Sequence, residues 1–239
     1  MIAYSDFKTI GSIQATVFTP SLSFNVNTIL KKLLEIDSEI FDGSPTVLPL
    51  PQDAPGELPR IILQSKTDSY KFEIAPKRMN FFRIQINDDD IISPHEFIDK
   101  ATSFILQLLN EIDTQSGRIA AVIKRFCREE NPPVAIAGHF CKDQFLKEPF
   151  DNPGEFQLHA HKRYSCFDFS DVNSWVRIKS GIRHRPTGPA QKIVIAEQDI
   201  NTVTDKLEDN SFTNEEITIF FSTVVSEFDK ILKLYFPKE

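Results

Sequence analysis

Glycine is scarce in this chain, with eight residues in 239. Loops that cradle phosphate groups need several glycines, and neither GxGxxG nor GxxxxGK[ST] occurs in the sequence. A GxSxG nucleophile motif is also missing. The runs of acidic residues stand where solvated loops or helix starts would place them. We therefore expect no catalytic residues and no cofactor, and the sequence favours a protein that is not an enzyme.

Cysteine is also sparse, and its pattern argues against structural disulfides. Cys127, Cys141 and Cys166 are an odd number, widely spaced and without a CxxC pair. Free thiols of this kind are typical of a reducing compartment. No apolar run approaches the roughly 18 residues of a membrane span, and the first residues, MIAYSDFKTIGSIQATVF, contain no signal-peptide core. These absences predict a cytoplasmic protein without a membrane partner.

What the chain does have is phenylalanine and clear periodicity. The 21 Phe against four Tyr and one Trp favour core filling over base or sugar stacking. Alternating apolar residues predict strands, and apolar residues at helical spacing predict helices. The expected strands are 9–18, 60–65, 70–74, 78–86, 118–128, 155–168, 172–185 and 190–198. The expected helices are about 25–41, 93–113, 134–145 and 213–237.

This order of elements predicts an α+β fold. Two antiparallel β-meanders, each closed by an amphipathic helix, would form a mixed or antiparallel sheet packed by helices. We expect a single α+β domain over residues 1–239, with two pseudo-similar subdomains at about 1–115 and 116–239 as the alternative. The strand 118–128 has apolar residues in both phases, which predicts a central strand covered on both sides.

Three segments carry a resemblance to a known family. They are YKFEIAPKRMNFF at Tyr70 to Phe82, RIAAVIKRF at Arg118 to Phe126, and QDINT at Gln198 to Thr202 before a Phe-rich closing helix. Together with the element order, they make the chain resemble a sporadically distributed bacterial family of uncharacterised proteins of roughly this length. The resemblance implies a shared fold, transfers no catalytic residues, and implies a role in defence-associated or mobile gene sets.

The stretch QLHAHKRYSC, residues 157–166, poses the main chemical question. On a strand, residues two apart share a face, so His159, His161 and Arg163 would point the same way. A His-x-His pair can supply two metal ligands, but further ligands would have to come from His139, Cys141 or His184, and no spacing identifies them. The adjacent bases also oppose a cation. We therefore predict no metal site and interpret this stretch as the polar face of a strand.

A basic strip between Lys162 and Lys192 is the strongest candidate for a binding surface. It holds seven Lys and Arg against two Asp, in a chain whose net charge is −7. The candidate binding residues are His159, His161, Arg163, Arg177, Lys179, Arg183 and Arg185. The leading hypothesis is a protein–protein interaction module that binds a protein partner and forms a homodimer. The alternative is nucleic-acid binding, or a metal-dependent nuclease, through the same strip.

Overall fold

The computed structural model describes residues 2–20, 23–36, 39–51, 53–148, 151–184, 188–205, 208 and 210–237. Within these residues, nine strands and four α-helices make an α+β fold, so the predicted class is confirmed. The strands are β1 (Thr9–Phe18), β2 (Thr46–Val47), β3 (Ile61–Gln64), β4 (Tyr70–Ala75), β5 (Arg78–Ile84), β6 (Arg118–Arg128), β7 (Gln157–Phe167), β8 (Ser170–Arg183) and β9 (Gln191–Thr202). The helices are α1 (Val26–Ile36), α2 (Pro94–Glu111), α3 (Pro132–Phe140) and α4 (Asn214–Tyr235).

All nine strands join one sheet in the order β2-β3-β4-β5-β1-β6-β9-β8-β7. Every neighbouring pair is antiparallel, so of the two sheet types left open by the sequence the antiparallel one is observed. β1 and β6 lie side by side at the centre. Each pairs on its other side with the last strand before the next long helix, β5 for β1 and β9 for β6. The two halves of the chain therefore build a single sheet in a similar way, although four strands follow β1 and three follow β6.

The helices cover only one face of this sheet. In the central strands the residues on that face are almost fully buried, as Ala15, Ala121 and Phe81 show at 0% exposure, and cross-strand partners share a face. α2 packs on β1 and β5, α4 on β6, and α3 on β8 and β9. The opposite side of the strands carries mostly polar and half-exposed residues. None of the helices in the described part of the chain is both long and apolar enough to cross a membrane.

Capping residues set the start of the two long helices. The Thr213 hydroxyl accepts a hydrogen bond from the Glu216 amide (3.2 Å), and the Glu216 carboxylate accepts one from the Thr213 amide (2.8 Å). At α2 only the first of these two bonds forms: the Ser93 hydroxyl accepts from the Glu96 amide at 3.4 Å, with Pro94 at the first helical position. These bonds satisfy amides that the helix itself leaves unpaired. Both helices therefore begin where the sequence predicts.

Three boundary predictions are wrong by several residues. The sequence predicts a first helix that reaches Phe41, but α1 ends at Ile36, and residues 39–41 are not helical. The other two errors have physical reasons. α3 begins at Pro132, not at Val134, because proline fits the first turn of a helix, where no amide needs a partner. It ends at Phe140, and a short 3₁₀ turn occupies Asp143–Phe145. β9 runs on to Thr202, beyond the expected end, because its inward polar side chains are paired: the Gln198 amide donates to the Phe228 carbonyl at 2.8 Å.

A cluster of phenylalanines fills the core under the first half of the sheet. The ring of Phe81 lies 5.3–6.0 Å from the rings of Phe41, Phe72, Phe97 and Phe104, in tilted or edge-on contacts. Aromatic pairs prefer such geometry, and they bury large apolar areas. The abundance of phenylalanine therefore serves packing, in agreement with the sequence-based expectation.

Replacing the central ring of this cluster should be costly. We expect Phe81→Ala to lower the free energy of unfolding by about 3–5 kcal/mol, because a cavity replaces a fully buried side chain. Phe145→Ala, which removes a ring that is 61% exposed, should change it by less than about 0.5 kcal/mol. Urea denaturation of both variants measures the difference. Equal effects would mean that Phe81 is not at the centre of the core.

Candidate interaction surface

The side of the sheet that faces away from the helices is termed here the open face. Six of the seven candidate binding residues lie on it; the seventh, Arg185, falls outside the described residues. Cross-strand pairing brings them together: His159 stands opposite Arg177, Gln157 opposite Lys179, and His161 opposite Trp175. The alternation of QLHAHKRYSC therefore has the phase that the sequence predicts.

Not all of the basic strip reaches the open face. Lys162 pairs in register with Ser174, which is buried beneath the helices, so its side chain lies on the helix side. Lys192 pairs with Ile182, whose phase on β8 is also that of the helix side. The local excess of positive charge in the sequence is thus divided between two sides of the sheet.

Three of the four Lys and Arg of the strip that reach the open face, Arg163, Arg177 and Arg183, are paired with acids of the same chain. Arg177 donates to Glu197 at 2.8 Å, and Lys124 lies 3.1 Å from the other oxygen of that carboxylate. Burial raises the pKa of Glu197, but the hydrogen bonds and charges of Lys124 and Arg177 outweigh this effect and hold the pKa below its ordinary value. Glu197 therefore stays ionised and neutralises the centre of the face.

The same holds at the two ends of the open face. Arg183 lies 2.7 Å from Asp88 and over the ring of Phe126, with 4.5 Å between the guanidinium carbon and the ring centroid. Arg163 lies 3.6 Å from Asp171. Asp88 belongs to the acidic run that the sequence places before α2, and the fold brings this loop to the end of the open face. The arginines of the strip are consequently ion-paired, and the open face is not a continuous positive surface.

The two histidines of the opening stretch have separate surroundings. His161 stacks on Trp175 with ring centroids 4.2 Å apart, and its Nε2 lies 3.2 Å from the side-chain oxygen of Asn173. The guanidinium carbon of Arg177 lies over the Trp175 ring, 5.6 Å from its centroid. Across the described residues, no group of three or more His, Cys, Asp or Glu is arranged to hold a metal ion. The His139 ring is hydrogen-bonded to the Tyr235 carbonyl at 2.8 Å, at the C-terminal end of α4, and so lies with the helices and not on the open face.

An apolar hollow lies at the centre of the open face. It measures about 560 Å³, and Lys124 and Glu197 stand at its border. Its apolar lining comes from β1, β5, β6 and β9: Gly11, Phe82, Ile84, Val122, Phe126, Ile193 and Ile195. A Cβ at Gly11 would lie 3.3 Å from the Phe126 ring, so the ring would have to move by a few tenths of an ångström to accept a larger residue.

The hollow overturns one prediction from the sequence. β6 is a central strand, but helices cover only one of its sides, and Val122 and Phe126 line the hollow on the other. The apolar residues on the open side of β6, Val122 and Phe126, are the feature of the sequence that indicates this surface. The sequence predicts that both sides of this strand are covered, but the helices cover only one of them.

Comparison of the sequence with protein-family models finds no match. Comparison with curated proteins finds none either. The resemblance to the sporadically distributed bacterial family therefore stays a prediction, and function has to be argued from the geometry of the chain itself.

The ion pairs of Glu197 should make stability depend on pH. A carboxylate whose pKa is lowered on folding stabilises the fold above its ordinary pKa of 4.5, and this contribution is lost as the pH falls through the lowered value. We expect Glu197→Gln to lower the free energy of unfolding by about 1–3 kcal/mol at neutral pH and by much less in acid. Urea denaturation across this pH range measures the effect.

Glu35→Gln is the matched control for that experiment, because Glu35 forms an exposed ion pair with Lys31 at 3.8 Å. Exposed pairs contribute less than about 1 kcal/mol, so this variant should behave like the parent at every pH. A loss of stability in Glu197→Gln that is equally large in acid would contradict an electrostatic role for Glu197.

Proposed function

We propose that this chain is a non-enzymatic protein–protein interaction module whose open face binds the partner. The observation that carries the proposal is the apolar hollow, bordered by the ion pair of Lys124 with Glu197. Protein interfaces have this anatomy, with a dehydrated apolar centre and a polar rim. Arg177, bonded to Glu197, extends the polar border, and an apolar side chain of the partner would fill the hollow.

Exposure of the lining supports binding by a partner. Ile84 is 38% exposed at the edge of the hollow, and Phe82 and Ile195 are half-buried. Burial of apolar surface is favourable by roughly 25 cal/mol for each Å² that is removed from water. An occupant of matching shape would recover that free energy. The second occupant that we propose is another copy of this chain, which would form a homodimer through the same face.

The charge pairing supports a protein partner over nucleic acid. Affinity for nucleic acid comes mainly from bases that replace the counterions of phosphates. Arg177 and Arg183 lie 2.8 Å and 2.7 Å from carboxylates of this chain, whereas Arg163 lies 3.6 Å from Asp171 and is held less closely. A phosphate would have to displace those carboxylates. Trp175 and His161 offer one stacked pair, whereas single-strand binding relies on successive stacking platforms.

The state of the thiols supports both a non-enzymatic role and a cytoplasmic location. All three cysteines are free, and burial, with the charges of Asp6 and Glu129, raises the pKa of Cys127 to about 12. Burial and Glu227 also raise the pKa of Cys166. A nucleophilic cysteine needs a lowered pKa. Cys127 and Cys166 therefore stay protonated, and free thiols persist in a reducing compartment.

A charge placed at the border of the hollow should abolish binding. We expect Ile84→Asp to reduce by at least tenfold the protein that the tagged chain captures from its native lysate, because a carboxylate cannot enter an apolar pocket without loss of hydration. Ile91→Asp alters a residue that is 88% exposed and outside the hollow, and it should capture as much as the parent. Equal capture by both variants would rule out the hollow as the contact.

Reversal of charge on the strip separates the two functional hypotheses. We expect Arg177→Glu/Lys179→Glu to lose the protein partner, and we expect the parent chain to give no gel shift with a single-stranded DNA or RNA oligonucleotide at low salt. Lys8→Glu/Lys31→Glu changes the net charge equally, away from the strip, and should keep the partner. A gel shift that disappears in the strip variant would favour nucleic-acid binding and contradict the proposal.

A further inference from the structure

The two edges of the sheet differ in their capacity to pair with another chain. At one edge, β2 has two residues, Thr46–Val47, between Pro45 and Pro49. Proline lacks the amide that strand pairing requires, so this edge is closed. At the other edge, β7 has eleven residues without proline. At about 3.3 Å for each residue, its backbone spans roughly 36 Å.

The outer side of β7 has no strand beside it. Among the described residues, β7 pairs only with β8, and it is the last strand in the sheet order. Its register with β8 is regular from Gln157 to Ser165, and the shift that interrupts it lies between Ser165 and Phe167, next to the hairpin. The amides and carbonyls that point outwards along the regular part are therefore a template for one more strand.

The charges of β7 determine which strand that template accepts. Between Gln157 and Phe167 there are two bases, Lys162 and Arg163, and no acid. They lie on opposite sides of the sheet, so positive charge flanks the outer backbone on both sides. Arg163 is only loosely held, at 3.6 Å from Asp171, and its side chain is 56% exposed.

A second copy of this chain does not fit there. The bases stand at the middle of β7. A two-fold antiparallel pairing centred on Lys162 would place Lys162 opposite the same residue of the other copy, and one centred on Arg163 would do the same for Arg163. Like charges on opposed strand positions are destabilising. Pairing of β7 with β7 of a second copy is therefore disfavoured. A different strand with carboxylates opposite Lys162 and Arg163 would instead form two ion pairs.

We propose that the outer edge of β7 binds an extended acidic peptide, which adds to the sheet as one further strand beside β7. Backbone hydrogen bonds would supply the affinity, and carboxylates opposite Lys162 and Arg163 would supply the selectivity. This site is the edge of the sheet and not the hollow of the open face. Either can therefore fail while the other stands.

Selection from a phage library of random ten-residue peptides tests the proposal on the intact chain. We expect enrichment of peptides that carry Asp or Glu among β-branched residues and lack proline. One enriched peptide is then synthesised, together with a copy that is N-methylated at alternate residues. The copy should lose binding, because its methyl groups remove the amides that pair with β7. Hydrogen exchange should show new protection of β7 amides and none in β2.

Charge variants complete the test. Lys162→Glu/Arg163→Glu should weaken binding of the synthetic peptide by about tenfold or more, and Lys162→Gln/Arg163→Gln by less, since it removes attraction without adding repulsion. Lys8→Glu/Lys31→Glu, with the same change in net charge, should bind like the parent. Ile84→Asp should also bind like the parent, which separates this site from the hollow.

Three results would overturn the proposal. The first is a library selection without enrichment of acidic residues, and the second is equal binding of the N-methylated peptide. The third is a dimer in sedimentation that Lys162→Glu/Arg163→Glu dissolves, because it would show that β7 pairs with a second copy.

Discussion

The structure depends on one constraint: a single layer of helices for a sheet of nine strands. An antiparallel sheet can leave one face in water, and this chain does so along its whole width. The core then has to be built entirely on the other side, where the phenylalanines collect. The open face has no core of its own. Its side chains are in contact with water, its arginines are held by ion pairs, and its apolar residues are left uncovered in the hollow.

The attachment of α4 shows how strictly the helix side is organised. Arg125 lies on the buried side of β6 with its side chain 5% exposed, 2.6 Å from Asp229 of the helix and 3.3 Å from Gln198 of β9. Gln198 in turn donates to the Phe228 carbonyl. A buried base needs such partners, and the loss of one would leave an uncompensated charge. The closing helix is thus held in register by polar bonds within an apolar layer.

The sequence allowed local structure to be predicted well, because local structure follows from periodicity and capping. The Thr213 and Ser93 caps and the phase of His159 and His161 are of this kind. The order of the strands and the partners of the charges could not be predicted, because alternation reveals the phase of a strand but not its neighbours. Glu197 appeared only as one acid in an acidic segment, although the fold places it between Lys124 and Arg177.

Carbene footprinting of the complex captured from native lysate tests the central claim most directly, because it reports which side chains become inaccessible. If the open face binds the partner, Phe82, Ile84 and Ile195 should lose labelling in the complex. Ile219, which is 41% exposed on α4, should keep it. Loss of labelling confined to the helices, with the hollow labelled as in the free chain, would contradict the account.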